Sequence, residues 1–308
     1  MIELMDFPRQ VVLEPRNLWW EQGGVLNPAV AQLGGKTHLL YRAVGADHIS
    51  RFGLAISEDG ETFTRFDQPI FEGDQKNPFE RLGVQDPRST TIGRDIFITY
   101  TAASVYPAAV QPLGRLAAPE QTPWRTRVSV LKTRDMRTFQ SLGVILPDID
   151  SQDAVLVPDK HLGFYWLIHR VDSNIFVARS RDLGRWESNI EMMSAKEPWE
   201  ELKIGAACPP LVTDDGWLLL YFGVSSSGVY SLGAALLAKE NPAVVLKRTK
   251  HPVMSPHFDW ERRGVVSNVI FPTGAFVKHE KIHLYYAAAD KVVALAKIPL
   301  ERIEELWQ

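Results

Sequence analysis

A single cysteine, Cys208, stands in the 308 residues, so the chain forms no intrachain disulfide, and finger-like or Cys-rich metal spacings are absent with it. The eight histidines are scattered, none beside another His, Cys or carboxylate at a ligand spacing. No metal and no cofactor is therefore expected. No apolar run approaches the roughly 18 residues that cross a bilayer. The first ten residues, MIELMDFPRQ, are acidic early and lack the apolar stretch of a secretory leader, so the expectation is a cytoplasmic protein. Charge of one sign is not in excess either: 34 Lys and Arg against 37 Asp and Glu leave a net charge of -3, which offers nothing to nucleic acid or to an anionic membrane surface. Helical periodicity is scarce, the C-terminal IPLERIEELW being the exception.

What remains is 45% hydrophobic residues in short, aromatic-rich strings broken by Gly, Pro, Asn and Asp, the pattern of strands and turns. Five strings look alike: HLLYRA, IFITYTA, FYWLIHR, WLLLYFG and IHLYYAA. Taking Tyr41, Tyr100, His169, Tyr221 and Tyr285 as equivalent points, the spacings are 59, 69, 52 and 64, with a mean of 61. Five such units nearly exhaust the chain. The spacing predicts an all-β fold, a five-bladed β-propeller with a short C-terminal helix, filling residues 1–308 as one domain. That helix either packs on a neighbouring subunit of a homo-oligomer or closes the last blade.

A second repeat agrees with the first. SEDGETF, TRDMRTF and SRDLGRW share Ser/Thr-x-Asp, a tight turn and an aromatic, each after an aromatic-ended strand and the one that follows it. The Asp bonds its own turn's amides, so these turns are read as structural hairpins. The Pro- and Ala-rich stretch Val105 to Trp124 reads as an irregular insertion over the top face.

In a propeller the inner strands line a channel, and loops from different blades converge at its mouth. Polar residues expected there are Asn27, Arg42, Asp86, Arg88, Asp153, His169, Arg170 and Asp290. Water-excluding strands carry such groups only where they meet one another, as a ring of ion pairs, or a ligand. With 9 Trp, 8 Tyr and 14 Phe, the chain also offers flat apolar faces beside charged side chains, the surface a sugar ring needs. Composition alone does not separate that use from blade packing.

The motifs LNPAV, LLYRA, VQDPR with ITYTA, DAVLVP, LIHR, KIGA..PP, GWLLLYFGV, NVIFPTG and YYAAAD run in order from Asn27 to Asp290. The series resembles glycoside hydrolase family 130, five-bladed propellers that include inverting phosphorylases of β-mannosyl linkages and inverting β-1,2-mannosidases. The resemblance makes Asp86 the proton donor, acting on the glycosidic oxygen through the 3-hydroxyl of the mannosyl unit. Beside Arg88, an acid keeps that proton only where burial outweighs the cation. The resemblance also assigns Asn27, Arg42, Arg88 and Asp290 to the mannosyl pocket. Arg51, Tyr100, Asp153, His169, Arg170 and Tyr221 complete the expected substrate-binding set.

The two activities differ in the nucleophile, since phosphate requires cations and donors while water requires a carboxylate base across the sugar. Where phosphorylases of the family commonly carry a Lys or Arg, a basic residue and a His, this chain has Gln152, Arg170 and Phe222. Two charge-assisted bonds worth roughly 1.5–3 kcal/mol each are lost on that reading. The expectation is therefore an inverting, exo-acting β-1,2-mannosidase acting on β-linked manno-oligosaccharide. Its base is sought among Glu201, Glu261 and Asp153. The alternatives are a phosphorylase returning α-mannose 1-phosphate, with Arg170, Arg127 and other cations at the phosphate, and a sugar-binding propeller without catalysis.

Overall fold

The computed structural model describes residues 7–106 and 124–305. After strand β1 (Arg9–Leu13), the first blade is formed by β2 (Gly24–Leu33), β3 (Lys36–Val44), β4 (Ser50–Ser57) and β5 (Thr64–Arg65). The second has β6 (Val84–Ile92), β7 (Asp95–Val105), β8 (Trp124–Thr133) and β9 (Gln140–Val144), and the third β10 (Gln152–Leu156), β11 (Tyr165–Val171), β12 (Asn174–Ser180) and β13 (Trp186–Met193). In the fourth, β14 (Lys203–Ala206) and β15 (Leu211–Val212) share one edge of β16 (Trp217–Val224), followed by β17 (Tyr230–Leu237) and β18 (Val245–Arg248). A short helix α1 (Asp259–Arg262) leads to the fifth blade, β19 (Ile270–Lys278), β20 (Lys281–Ala288) and β21 (Val292–Pro299), and α2 (Leu300–Glu305) follows. The blades are antiparallel, and β1 pairs with β21, so the start of the chain supplies the outer strand of the last blade. Inner strands touch in a ring from β2 through β6, β10, β14 and β15 to β19 and back to β2. This is the five-bladed propeller that the period predicts, and it carries the short C-terminal helix.

Each apolar string is the second strand of its blade. Such a strand has a partner on each side and a neighbouring blade on each face, so both odd and even positions must be apolar. All eight residues of β16 are buried. Between successive blades lies one apolar cluster, such as Leu40, Phe52 and Leu54 against Ile96 and Ile98, or Leu218 and Leu220 against Ile270 and Leu284. Every such side chain removed from water contributes roughly 1.5–3 kcal/mol. Ile303 of α2 lies in the cluster between the fourth and fifth blades, so the C-terminal helix packs on its own chain.

The three Ser/Thr-x-Asp turns have the expected construction. Asp59 accepts from the amides of Glu61 and Thr62, Asp135 from those of Arg137 and Thr138, and Asp182 from those of Gly184 and Arg185. These bonds to the ionised carboxylates hold Asp135 down at about 2 and lower Asp59 and Asp182 as well. Of the insertion read at Val105 to Trp124, residues 107–123 lie outside the described residues.

The structure shows a third repeat. An aromatic–Glu pair, Trp20-Glu21, Phe79-Glu80, Trp199-Glu200 and Trp260-Glu261, leads into the inner strand of four blades, and each Glu is buried. The hydroxyls of Tyr41, Tyr100 and Tyr286 donate to Glu21, Glu80 and Glu261, while Arg248 bridges Glu200 and Tyr221. In the third blade Ser151 and His169 take these places, 2.7 Å apart. Burial pushes His169 down to about 4, so it stands neutral between Ser151 and Asn189. The fifth-blade equivalent is therefore Tyr286; Tyr285 donates instead to the Gly60 carbonyl of the first blade.

Candidate active site

Three inner strands share one irregularity. In β2, β6 and β10 the pairs Asn27-Pro28, Asp86-Pro87 and Asp153-Ala154 oppose single residues of the next strand, Tyr41, Tyr100 and His169. The first residue of each pair has a positive φ, 47°, 52° and 53°, a conformation that Asn and Asp tolerate better than other side chains. A bulge re-aims the side chain it carries. Here the three polar groups converge on one cavity of about 460 Å³ at the propeller axis. Asp290 joins them from the β20–β21 turn, also at positive φ (52°).

Asp86 sits against the first blade. Its Oδ1 accepts from Asn27 Nδ2 at 2.6 Å and from Arg42 Nη1 at 3.0 Å, while no donor among the described residues is bonded to Oδ2. Arg42 is held by Ser50 Oγ at 2.9 Å. Arg88, expected beside the Asp86 carboxylate and in the mannosyl pocket, is instead fully buried and outside the cavity lining. It donates to the main-chain oxygens of Asp86 and Ala207, each at 2.9 Å, and to Asp153 Oδ1 at 2.9 Å. The other Asp153 oxygen accepts from Arg170 Nε at 2.6 Å. Burial opposes the Asp153 charge, but Arg170 and Arg88 outweigh it and hold the group below its ordinary value. Asp290 is the contrary case: burial, helped by the charge of Asp86, pushes it up to about 6 although Arg42 and Lys203 pull the other way.

Alternation along the second strands decides which expected residues reach the cavity. Arg42 and Arg170 do, whereas their predecessors Tyr41 and His169 point away into the blades, as do Tyr100 and Tyr221. Tyr100, His169 and Tyr221 are thus corrected from substrate contacts to blade anchors. Arg51 is likewise displaced from the pocket: it is bound to Asp47 and Glu72 and lies 4.6 Å from the Trp19 ring. Glu201 is exposed at the end of a short 3-10 turn, outside the cavity lining, its buried neighbour Glu200 being the anchor. Glu261 is fully buried and fully engaged, accepting from Arg9, Tyr286 and the amides of His257 and Phe258. A carboxylate so occupied does not activate a water. Arg127 is committed to Asp150 and the Pro147 carbonyl.

The cavity also has walls that the sequence did not mark: Gln85, Lys203, and the aromatics Trp124, Tyr230 and Phe271. Lys203 stands directly before the KIGA motif's apolar residues, and a cation opening an inner strand was the available signal. Among the described residues, no group of three or more His, Cys, Asp or Glu is placed to hold a metal ion.

Fold and site together define a β-propeller of the glycoside-active class, with a cavity of carboxylates, cations and aromatic rings at the axis of the blades. The chain belongs to glycoside hydrolase family 130, whose profile, described as beta-1,4-mannooligosaccharide phosphorylase, matches residues 8–113 and 117–308. A beta-1,2-mannobiose phosphorylase from Thermoanaerobacter sp. (strain X514) is 35% identical over 99% of this chain and 100% of its own length. A 1,2-beta-oligomannan phosphorylase of the same strain is 32% identical over 99% and 100%. The solved structure of beta-1,2-mannobiose phosphorylase from Listeria innocua, in complex with beta-1,2-mannobiose, superposes with a TM-score of 0.84 at 23% identity, over 98% of this chain and 99% of that one.

Proposed function

We propose that the protein is an inverting β-mannoside phosphorylase acting on β-1,2-linked mannosides and returning α-mannose 1-phosphate. The observation that carries this reading is the division of the cavity. Asn27, Arg42, Asp86 and Asp290 come from the fifth, first and second blades, while Gln152, Arg170 and Lys203 come from the third and fourth. The second group suits a phosphate: two cations and an amide donor, with Lys203 supplying a charge that the count at Gln152 and Phe222 left out. The carboxylates lining the cavity among the described residues are Asp86, Asp153 and Asp290. Asp153 is held by two guanidinium groups, and Glu201 and Glu261 lie elsewhere, so the base that a mannosidase needs is not among those nominated for it. Two relatives above 30% identity that match along their whole length are both phosphorylases of β-1,2-mannosides, and they support the same choice.

In this reading the mannosyl ring lies against Asn27, Arg42, Asp86 and Asp290. Phosphate, gathered by Arg170 and Lys203, attacks the anomeric carbon from the face opposite the leaving oxygen. As that bond breaks, the Asp86 proton passes by way of the 3-hydroxyl to the departing oxygen. One displacement inverts the centre, giving the α-phosphate.

The test is product analysis on β-1,2-mannobiose with and without phosphate, with Asp86→Asn as the control. Mannose 1-phosphate is expected only with phosphate and only from the unaltered protein. Free mannose released equally without phosphate would replace the phosphorylase with the hydrolase.

A further inference from the structure

Of the four cavity aromatics, three form one packed group. Phe222 and Phe271 are buried with ring centroids 4.6 Å apart, and Tyr230 lies 6.0 and 6.2 Å from them. Trp124 differs. It is 49% exposed, and no described side chain stacks on or bonds its indole. A large apolar ring in that state, inside a cavity lined mainly by charged and amide groups, loses hydrophobic burial that a packed position would provide.

Its height above the acid follows from the register. Asp86 lies near the start of β6, where Val84 pairs with Ala102. The β7–β8 ladder continues three residues further, to Val105 opposite Trp124. At about 3.3 Å per residue that is roughly 10 Å of sheet beyond the level of Val84. Trp124 therefore stands on the blade that carries Asp86, at the outer rim. Arg170 and Lys203, on the third and fourth blades, face the cavity from another side.

The geometry points to Trp124 as the platform on which the departing, reducing-end sugar stacks, and hence as the residue that sets acceptor affinity in the reverse reaction. This deepens the proposed phosphorylase reading and rests on it. The Asp86 proton reaches the leaving oxygen through one hydroxyl, so that oxygen lies on the Asp86 side of the mannosyl ring and the leaving sugar extends toward the rim of that blade. A pyranose presents an axial C–H face to an aromatic ring, and an indole recognises it without selecting one hydroxyl pattern. The aromatic ring thus favours a sugar leaving group as a class, and longer β-linked chains continue outward over the rim to solvent.

The experiment compares the unaltered protein with Trp124→Ala and Trp124→Phe in the synthetic direction, α-mannose 1-phosphate plus mannose. The expected result is an acceptor KM raised about tenfold in Trp124→Ala, the factor that corresponds to about 1.4 kcal/mol. The KM for mannose 1-phosphate stays within about twofold, and Trp124→Phe recovers most of the acceptor affinity. Equal rises in both KM values, or an unchanged acceptor KM, would overturn the assignment while leaving the phosphorylase intact. An unaltered protein that makes no disaccharide from these reactants removes the phosphorylase reading and this inference with it. Thermal unfolding of each variant, expected to match the parent because the indole is half-exposed, separates a misfolded protein from a lost platform.

Discussion

Glu261→Gln discriminates between a base and an anchor. All groups around this carboxylate donate: Arg9 Nη1 at 3.0 Å to both oxygens, Tyr286 Oη at 2.7 Å to Oε1, and the amides of His257 and Phe258 at 2.7 and 3.0 Å to Oε2. A glutamine must put an NH2 group at one of these two places. At Oε2 it faces two amide donors and Arg9; at Oε1 only the tyrosine hydroxyl can turn to accept, and Arg9 still opposes it. The charge of Arg9, whose side chain is 3% exposed, loses its partner in either case. Removing one member of a buried pair costs about 3–5 kcal/mol. With about 2.1 cal/mol/K of unfolding entropy per residue, 308 residues give roughly 0.65 kcal/mol/K, so Tm should fall by about 5–8 °C. Turnover of β-1,2-mannobiose per folded molecule should stay within about twofold. Calorimetry and initial rates on the same preparation check both. An unchanged Tm with turnover reduced more than a hundredfold would refute the argument and restore Glu261 as a base.

Two further outcomes follow from the cavity. Lys203→Ala should raise the KM for phosphate roughly 10- to 150-fold, the range of one charge-assisted bond at about 1.5–3 kcal/mol, with the KM for mannobiose little changed; steady-state kinetics with each substrate varied in turn checks it. Asp290, raised by burial to about 6, binds a proton in the fold at pH values where the unfolded chain, titrating at the ordinary 3.8, has released it. Its contribution to stability is present below about pH 4 and is lost as pH rises through about 6. Asp290→Asn should therefore be more stable than the parent at pH 8, by up to roughly 3 kcal/mol at about 1.36 kcal/mol per pKa unit, and the difference should vanish near pH 4. A difference independent of pH in paired denaturation series would contradict the assignment.

The sequence by itself determined the propeller, because what specifies a blade is local. A strand buried on both faces is apolar at most positions and recurs at a mean period of 61 residues, and in three blades a turn adds its Asp and aromatic. The order of motifs likewise determined the family. Part of the site was legible for the same reason: Asn27, Asp86 and Asp153 occupy bulge positions whose left-handed backbone favours Asn and Asp. The aromatic–Glu repeat was equally local, and reading it would have marked Glu261 as one of four anchors and set Glu201 aside in favour of Glu200. The tertiary structure alone decided what each charge faces. Whether Arg88 meets Asp86 or Asp153 depends on blades 65 residues apart along the chain, and whether His169 or Arg170 reaches the axis depends on the phase of a strand against the ring. A carboxylate's chemistry is set by how many donors already hold it. That number is a property of the packed neighbours, and the same glutamate reads identically in sequence whether it is free or held.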